Sequence, residues 1–213
     1  MKVLMVNGSA KAAGCTFTAL TEVGKALNEE GVDYEIFGLG AGAMRDCIGC
    51  GKCSDKGCIF DDDAVNEFLQ KAREADGFVF GSPVYYAHPS GRILSFLDRA
   101  FYAGSRNSAG SPFAGKPGAA VVSARRGGTT ASLDVLNKYF TIASMPVVGS
   151  SYWNMVHGNK PEDVLEDKEG VQTMRNLGKN MAWMLKGLHE GFPAQEKGAR
   201  TNIIRRGERC FVK

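Results

Sequence analysis

The sequence predicts an α/β protein with a doubly wound, five-stranded parallel sheet and helices on both faces. Five short apolar runs alternate with five amphipathic segments along the chain. Each segment between two runs is long enough for a crossover helix, which parallel strands require. The runs are rich in Val, Leu, Ile and Phe, as is typical of strands that are buried on both faces.

The first half of the chain contains two predicted strands and two predicted helices. The apolar run "KVLMVNGS" ends in Gly-Ser and predicts the first strand. Phe17, Leu20, Val23 and Leu27 then recur at three- and four-residue spacing, which predicts an amphipathic helix. "DYEIFGL" predicts the second strand. The aspartates at 61–63 precede the next helix, where their charge suits the positive end of the helix dipole.

The second half repeats the alternation three times. "DGFVFGSPVYY" predicts the third strand, and Pro89 suits the first turn of the helix that follows. "GKPGAAVVSARRGG" and "MPVVGSSYW" predict the fourth and fifth strands. The predicted strands are 2–9, 33–39, 76–86, 115–128 and 145–153, and the predicted helices are 16–30, 61–75, 89–103, 129–143 and about 162–189.

Length and composition indicate one globular domain. A chain of 213 residues can bury an ordinary core. Its 26 basic and 23 acidic residues give a net charge of only +3, so charge does not favour nucleic acid as a partner. No apolar run approaches the roughly 20 residues of a membrane helix, and the opening run is too short for a signal peptide. We therefore expect a cytoplasmic protein without membrane or nucleic-acid partners.

The loop after the first strand, "NGSAKAAGCTFT", predicts a phosphate site. A dinucleotide fold would have Gly-x-Gly-x-x-Gly at this point. Instead the loop offers the hydroxyls of Ser9, Thr16 and Thr18 and the ammonium group of Lys11, just before a helix N-terminus. Short hydroxyl donors, free N–H groups and a positive dipole suit a phosphate monoester. The alternative is that these side chains only cap the helix.

Four cysteines in the loop after the second strand form the second candidate site. They have the spacing Cys47-x2-Cys50-x2-Cys53-x4-Cys58. In a reducing compartment such a group is more often metal-binding or catalytic than disulfide-bonded. The first three have the spacing that places thiolates on three corners of one iron–sulfur cube. Structural zinc more often uses two knuckles with a longer spacer. Zinc and a thiol redox switch remain the alternatives.

Three segments resemble the flavodoxin-like FMN reductase family. "NGSAKAAGCT" is similar to the family's Gly-Ser-x-Arg-x-x-Gly-Asn-Thr phosphate loop. Residues 81–99, "GSPVYYAHPSGRILSFLDR", resemble its second flavin loop, and residues 121–136, "VVSARRGGTTASLDVL", resemble its third. The cysteine pattern resembles that of the iron–sulfur flavoprotein branch. The resemblance implies a flavodoxin-like sheet of order 2-1-3-4-5, bound FMN and a [4Fe–4S] cluster.

The resemblance also implies which residues form the sites, and none of them is assigned a catalytic role. Cys15 stands where the family often has Asn, and a thiol is a poor hydrogen-bond donor. The implied FMN contacts come from three loops: Ser9, Lys11, Cys15, Thr16, Phe17 and Thr18 in the first; Pro83, Val84, Tyr85, Tyr86 and Ala87 in the second; Ser123, Ala124, Arg125, Gly127 and Gly128 in the third. The implied cluster ligands are Cys47, Cys50, Cys53 and Cys58.

We expect residues 1–190 to form the flavodoxin-like FMN-binding domain, with the cysteine-rich loop at 44–60, and residues 191–213 to form a basic C-terminal tail. The predicted function is an electron-transfer oxidoreductase that passes electrons from a ferredoxin-like donor through the cluster to FMN and on to a small-molecule acceptor. The alternatives are an NAD(P)H-dependent FMN or quinone reductase without a cluster, and a thiol or metal redox sensor. Family members are commonly homodimers or homotetramers, so we expect a homo-oligomer.

Overall fold

A computed structural model describes residues 1–188, so the predicted basic tail at 191–213 lies outside the described residues. None of the described helices has the length and apolar character needed to cross a membrane. The strands are β1 (Lys2–Asn7), β2 (Asp33–Gly38), β3 (Gly77–Tyr85), β4 (His88–Pro89), β5 (Gly118–Ala124) and β6 (Met155–His157). The helices are α1 (Cys15–Glu29), α2 (Val65–Glu74), α3 (Gly91–Gly104), α4 (Thr129–Ile142), α5 (Pro161–Glu166) and α6 (Lys168–Gly187).

The main sheet has the strand order β2-β1-β3-β5-β6, and every neighbouring pair in it is parallel. β4 is a two-residue strand that pairs with β3 in an antiparallel hairpin. Without β4 the five parallel strands stand in the order 2-1-3-4-5, which confirms the predicted flavodoxin-like sheet. Asn7 of β1 pairs with Gly38 on one side and with Gly81 on the other, so these strands end at one edge of the sheet.

Helices cover both faces of the sheet because successive strand side chains point to opposite sides. On one face Leu4 and Phe80 pack against α2, α3 and α4. This core contains Phe68, whose ring meets the edge of Phe96 at a centroid distance of 4.9 Å. Val79, the neighbour of Phe80 in the chain, packs into the opposite core with α1 and α6. Burial on both faces explains why the strands read as continuous apolar runs.

The predicted bounds of the fifth strand, 145–153, are wrong. Val147 makes one isolated bridge to the start of β5, and the paired strand β6 begins only at Met155. The polar residues in between leave the sheet and bind α6 instead, where the Ser150 hydroxyl donates to the Thr173 carbonyl at 2.6 Å. The sequence prediction therefore placed the end of this strand, and the loop that follows it, too early.

The predicted final helix at about 162–189 is two helices, α5 and α6. Asp167 separates them because its backbone is not helical and its side chain accepts a hydrogen bond from the Gly170 N–H at 3.0 Å. Asp167 is thus the N-cap of α6. The periodicity was helical throughout, but it contained no information about this local cap.

The close approach of the first loop to β3 generates a stability prediction. A Cβ atom at Gly8 would lie 2.7 Å from the Gly81 carbonyl oxygen and 2.9 Å from Ile93, which is fully buried. We expect Gly8→Ala to lower the free energy of unfolding by about 1–3 kcal/mol, because overpacking forces a rigid core to move. Urea denaturation with equal excess FMN measures it.

Gly91→Ala is the matched control for Gly8→Ala. Gly91 opens α3, has no neighbour within 4 Å of the added Cβ and does not have a positive φ. Alanine there should change the free energy of unfolding by less than about 1 kcal/mol, and in the stabilising direction. Equal urea midpoints for wild type and Gly8→Ala would show that the approach is not as tight as described.

Candidate functional site

An open groove of about 200 Å³ lies at the carboxyl edge of the sheet, where β1, β3 and β5 end. Ligands of open α/β sheets bind at this edge. Ten of the sixteen predicted FMN contacts line the groove: Ser9, Lys11, Cys15, Thr16, Pro83, Val84, Tyr85, Ser123, Ala124 and Arg125. The three loops that were identified separately in the sequence therefore form one site.

The first loop is shaped by Asn7, which is only 1% exposed. Its side-chain amide donates to the carbonyls of Lys11 at 3.2 Å and Ala12 at 3.4 Å, and its oxygen accepts from the Ser9 N–H at 3.1 Å. These hydrogen bonds fold the loop back toward the end of β1, just before α1 begins. Sequence reasoning missed this role, because an asparagine at the end of a strand has no pattern that identifies it.

The N-terminus of α1 faces this loop without a side-chain cap. The N-cap residue is Gly14, which has no side chain to accept a hydrogen bond from the helix N–H groups. The first N–H groups of a helix have no acceptor within the helix. The positive dipole end and the Lys11 and Ser9 side chains lie beside them, an arrangement whose chemistry suits an anionic group such as a phosphate.

A buried hydrogen bond ties the first loop to the third. The hydroxyls of Thr16 and Ser123 lie 2.8 Å apart, and the two residues are 1% and 5% exposed. Both residues line the groove. Each hydroxyl can therefore form a hydrogen bond to a bound ligand, either in place of the present bond or in addition to it. The two residues are 107 positions apart in the chain, and no sequence pattern pairs them.

The second loop is a tight hairpin between β3 and β4. Its central residues Tyr86 and Ala87 have φ angles of 51° and 59°, as in a type I′ turn. Tyr86 is fully exposed and, like Ala87, does not line the groove. Sequence reasoning missed the hairpin because such turns usually contain Asn-Gly. Gly128 packs directly on this turn, and a Cβ there would lie 2.4 Å from the Ala87 Cα.

Six predicted contacts lie outside the lining of the groove. Phe17 and Thr18 belong to the first turn of α1, and the Thr18 hydroxyl donates to the Gly14 carbonyl at 3.3 Å. The other four shape the neighbouring loops rather than the groove wall: Tyr86, Ala87, Gly127 and Gly128.

Gly158 and Asn159, which follow β6, complete the groove and were missed. The error follows from the fifth strand, because its predicted end at 153 put its terminal loop in the wrong place. The Cys15 sulfur lies 3.7 Å from the Gly158 carbonyl, and burial raises the pKa of this thiol. Gly158 thus borders the part of the groove where Cys15 replaces the family's asparagine, and Asn159 follows it in the lining.

The four clustered cysteines line a second, smaller pocket. Cys47 and Cys50 are exposed, whereas Cys53 and Cys58 are partly buried. Burial, followed by the charges of the other three thiols, raises the pKa of Cys53. The remaining lining residues are Ile48, Gly51, Phe60, Arg99 and Tyr102. Within residues 1–188 no three or more His, Cys, Asp or Glu side chains are arranged to hold a metal ion.

The cysteine loop is fixed to the rest of the chain at several points. The Asp55 carboxylate accepts from the N–H and the hydroxyl of Ser108 at 2.6 and 2.7 Å. The Asn66 side chain binds both backbone groups of Cys58, accepting from its N–H at 2.8 Å and donating to its carbonyl at 2.9 Å. Arg99, from α3, contacts the Cys58 sulfur. Hydrogen bonds from other segments of the protein therefore hold the cysteine loop in place.

Comparison with known proteins assigns the family. Residues 1–160 match the family described as NADPH-dependent FMN reductase. A protein from Methanocaldococcus jannaschii named iron-sulfur flavoprotein is 35% identical over 194 residues, which cover 87% of this chain and 98% of the relative. An iron-sulfur flavoprotein from Methanosarcina thermophila is 30% identical over 87% of this chain and 95% of its own length.

Solved structures support the fold. RosB, in a structure with a bound intermediate, gives a TM-score of 0.70 at 12% identity and covers 100% of this chain and 98% of its own. An archaeal flavodoxin gives a TM-score of 0.59 at 18% identity, with 87% of this chain and 99% of its own covered. The fold, the FMN-type groove and the family match agree. This chain therefore belongs to the NADPH-dependent FMN reductase family, on the branch of relatives named iron-sulfur flavoprotein, and is a flavin-dependent oxidoreductase.

Proposed function

We propose that this protein is an electron-transfer flavoprotein that holds a [4Fe–4S] cluster on Cys47, Cys50, Cys53 and Cys58 and uses it to carry electrons to FMN. The donor is a ferredoxin-like protein, and the acceptor is a small molecule such as a quinone, dioxygen or a peroxide. One observation carries the proposal: all four thiols line one pocket on a loop that is bound to α3, the helix whose N-cap binds the FMN loops.

The groove has the chemistry that FMN needs. The open N-terminus of α1 with Ser9 and Lys11 suits the phosphate. The backbone and side chains of Pro83 to Tyr85 provide an apolar edge for the ring system, and Arg125 provides a positive charge on the side of the third loop. A cation near a flavin ring favours its reduced, anionic form.

The second pocket has the chemistry that a cluster needs. Thiolates are the protein ligands of iron–sulfur clusters. Gly49, Gly51 and Gly57 have φ angles of +62°, +67° and +103°, which lets the loop turn repeatedly over a short distance. Phe60 and Tyr102 line the pocket with aromatic rings beside the two partly buried thiols. When bound, the cluster carries one electron and FMN accepts two, so together they connect a one-electron donor to a two-electron acceptor.

The second candidate function is hydride transfer from NAD(P)H to FMN without a cluster. The family description favours it, since the matched family is named for NADPH. Arg125 lines the groove and offers a cation for a nicotinamide phosphate. In that case the four cysteines would be a zinc or thiol site, and the two functions differ in their iron content and in their electron donor.

The phosphate loop generates a prediction for Thr16→Val. Valine keeps the shape but removes the hydroxyl that lies in the groove and leaves the buried Ser123 hydroxyl without its partner. We expect FMN affinity to fall about 5- to 30-fold, the equivalent of about 1–2 kcal/mol for one lost hydrogen bond. Fluorescence titration of flavin-free protein with FMN measures the dissociation constant.

Thr21→Val is the control for this change. The Thr21 hydroxyl donates to the Phe17 carbonyl of its own helix at 2.9 Å and does not line the groove, so FMN affinity should be unchanged. Equal FMN affinity for Thr16→Val and wild type would mean that the phosphate binds elsewhere.

The cluster proposal predicts the composition of protein purified without oxygen. Wild type should contain about four irons, about four acid-labile sulfides and one FMN per chain. Cys50→Ser should lose iron and sulfide but keep FMN, because Cys50 lies outside the groove. Iron, sulfide and flavin assays on one sample, together with its absorption spectrum, measure this.

Cys210→Ser serves as the cysteine control, since Cys210 lies far along the chain from the four clustered cysteines. It should match wild type in all three assays. Wild-type protein with FMN but no iron, or Cys50→Ser with the wild-type iron content, would contradict the cluster and would leave hydride transfer as the function.

A further inference from the structure

Arg99 is the most deeply buried charged residue of the cysteine region. Its side chain is 1% exposed, and it extends from α3 toward the cysteine loop. Burying a charge is costly unless the charge is paired and every donor has an acceptor. The partners of this guanidinium group therefore indicate which part of the structure Arg99 stabilises.

Among the described residues, all hydrogen-bond partners of Arg99 belong to the connection between β2 and α2, which contains the cysteines. It pairs with Asp63, which is itself 4% exposed. Its terminal nitrogens also donate to the carbonyls of Phe60 at 3.1 Å and Arg45 at 3.4 Å. Its Nε–H donates to the Cys58 sulfur at 3.3 Å. A planar fork with five donors can make these contacts at once, whereas an ammonium group cannot.

The guanidinium group of Arg99 contacts both a carboxylate and a sulfur, and the two contacts have different electrostatic effects. Asp63 neutralises the guanidinium charge as seen from a distance, so the long-range field at the pocket is small. The Nε–H bond remains as a directed contact with one of the four sulfurs. A guanidinium group does not lose its proton in proteins, so the Nε–H remains a donor.

We propose that Arg99 is a positioning residue that sets the reduction potential of the cluster through its hydrogen bond to the Cys58 sulfur. This inference rests on the proposed function above. A hydrogen bond to a ligand sulfur withdraws electron density and stabilises the extra negative charge of the reduced cluster, which raises its reduction potential. The Asp63 carboxylate opposes this effect, so the pair determines the potential together.

Two substitutions separate the hydrogen bond from the ion pair. Arg99→Lys keeps a cation next to Asp63 but cannot also donate to Cys58 and to the two carbonyls, so the potential should shift to a lower value. Asp63→Asn removes the opposing charge and keeps the acceptor for the Val65 N–H, which Asp63 binds at 3.2 Å. The hydrogen bond from Arg99 to the Cys58 sulfur remains, so the reduction potential of the cluster should rise.

Arg92→Lys is the matched control. Arg92 lies on the same helix and binds the same connection between β2 and α2, but it donates to the carbonyls of Gly42 and Ala41 and, among the described residues, makes no hydrogen bond to a cysteine. It should leave the cluster potential unchanged. The flavin potential, measured in the same titration, should be unchanged in all three variants.

The experiment is an anaerobic redox titration of the purified proteins, followed by electron paramagnetic resonance for the cluster and by absorption for the flavin. Opposite shifts for Arg99→Lys and Asp63→Asn support the inference. If Arg99→Lys does not retain iron, a raised potential in Asp63→Asn supports the inference and an unchanged one overturns it. Wild-type cluster potentials in both variants, with full iron content, overturn the inference alone, whereas wild type without iron overturns the proposed function itself.

Discussion

Both sites depend on how helix α3 is fixed at two buried polar residues, Ser90 at its N-cap and Arg99 about two and a half turns later. The Ser90 hydroxyl donates to the Gly8 carbonyl at 3.2 Å and accepts from the Ile93 N–H at 3.3 Å, which locks the start of the helix to the first FMN loop. Arg99 locks the other part to the cysteine loop. One helix thus makes both contacts, and its two contact residues lie about 14 Å apart along its axis.

A turn with a strained backbone lies next to the FMN groove. Left-handed backbone costs a non-glycine residue roughly 1–2 kcal/mol, and Tyr86 and Ala87 adopt it in succession. The turn is held by Gly128, which packs so closely on Ala87 that no larger residue fits. Because the turn directly follows Tyr85, the strain positions a side chain that lines the groove. Strained turns of this kind are typical of ligand sites.

Sequence patterns predicted the parts of the molecule that repeat or that depend on near neighbours. The two-sided burial of the strands produced the apolar runs, and the glycines and hydroxyls of "NGSAKAAGCTFT" were visible as a loop before a helix. The contributions of Asn7 and Arg99 were not visible: the bonds of Asn7 follow from the conformation of its loop, and those of Arg99 reach a distant part of the chain. An arginine in an amphipathic helix usually lies at the surface, and only the fold brings Arg99 beside Cys58.

The central claim is that electrons reach FMN through the four-cysteine site, and the choice of electron donor tests it most directly. The rate of flavin bleaching under argon should be measured with reduced ferredoxin and with NADPH, for wild type and for Cys50→Ser. We expect rapid bleaching of wild type by ferredoxin, slow bleaching of Cys50→Ser, and little bleaching of either by NADPH. Equally rapid bleaching of both proteins by NADPH, with no effect of Cys50, would contradict the account.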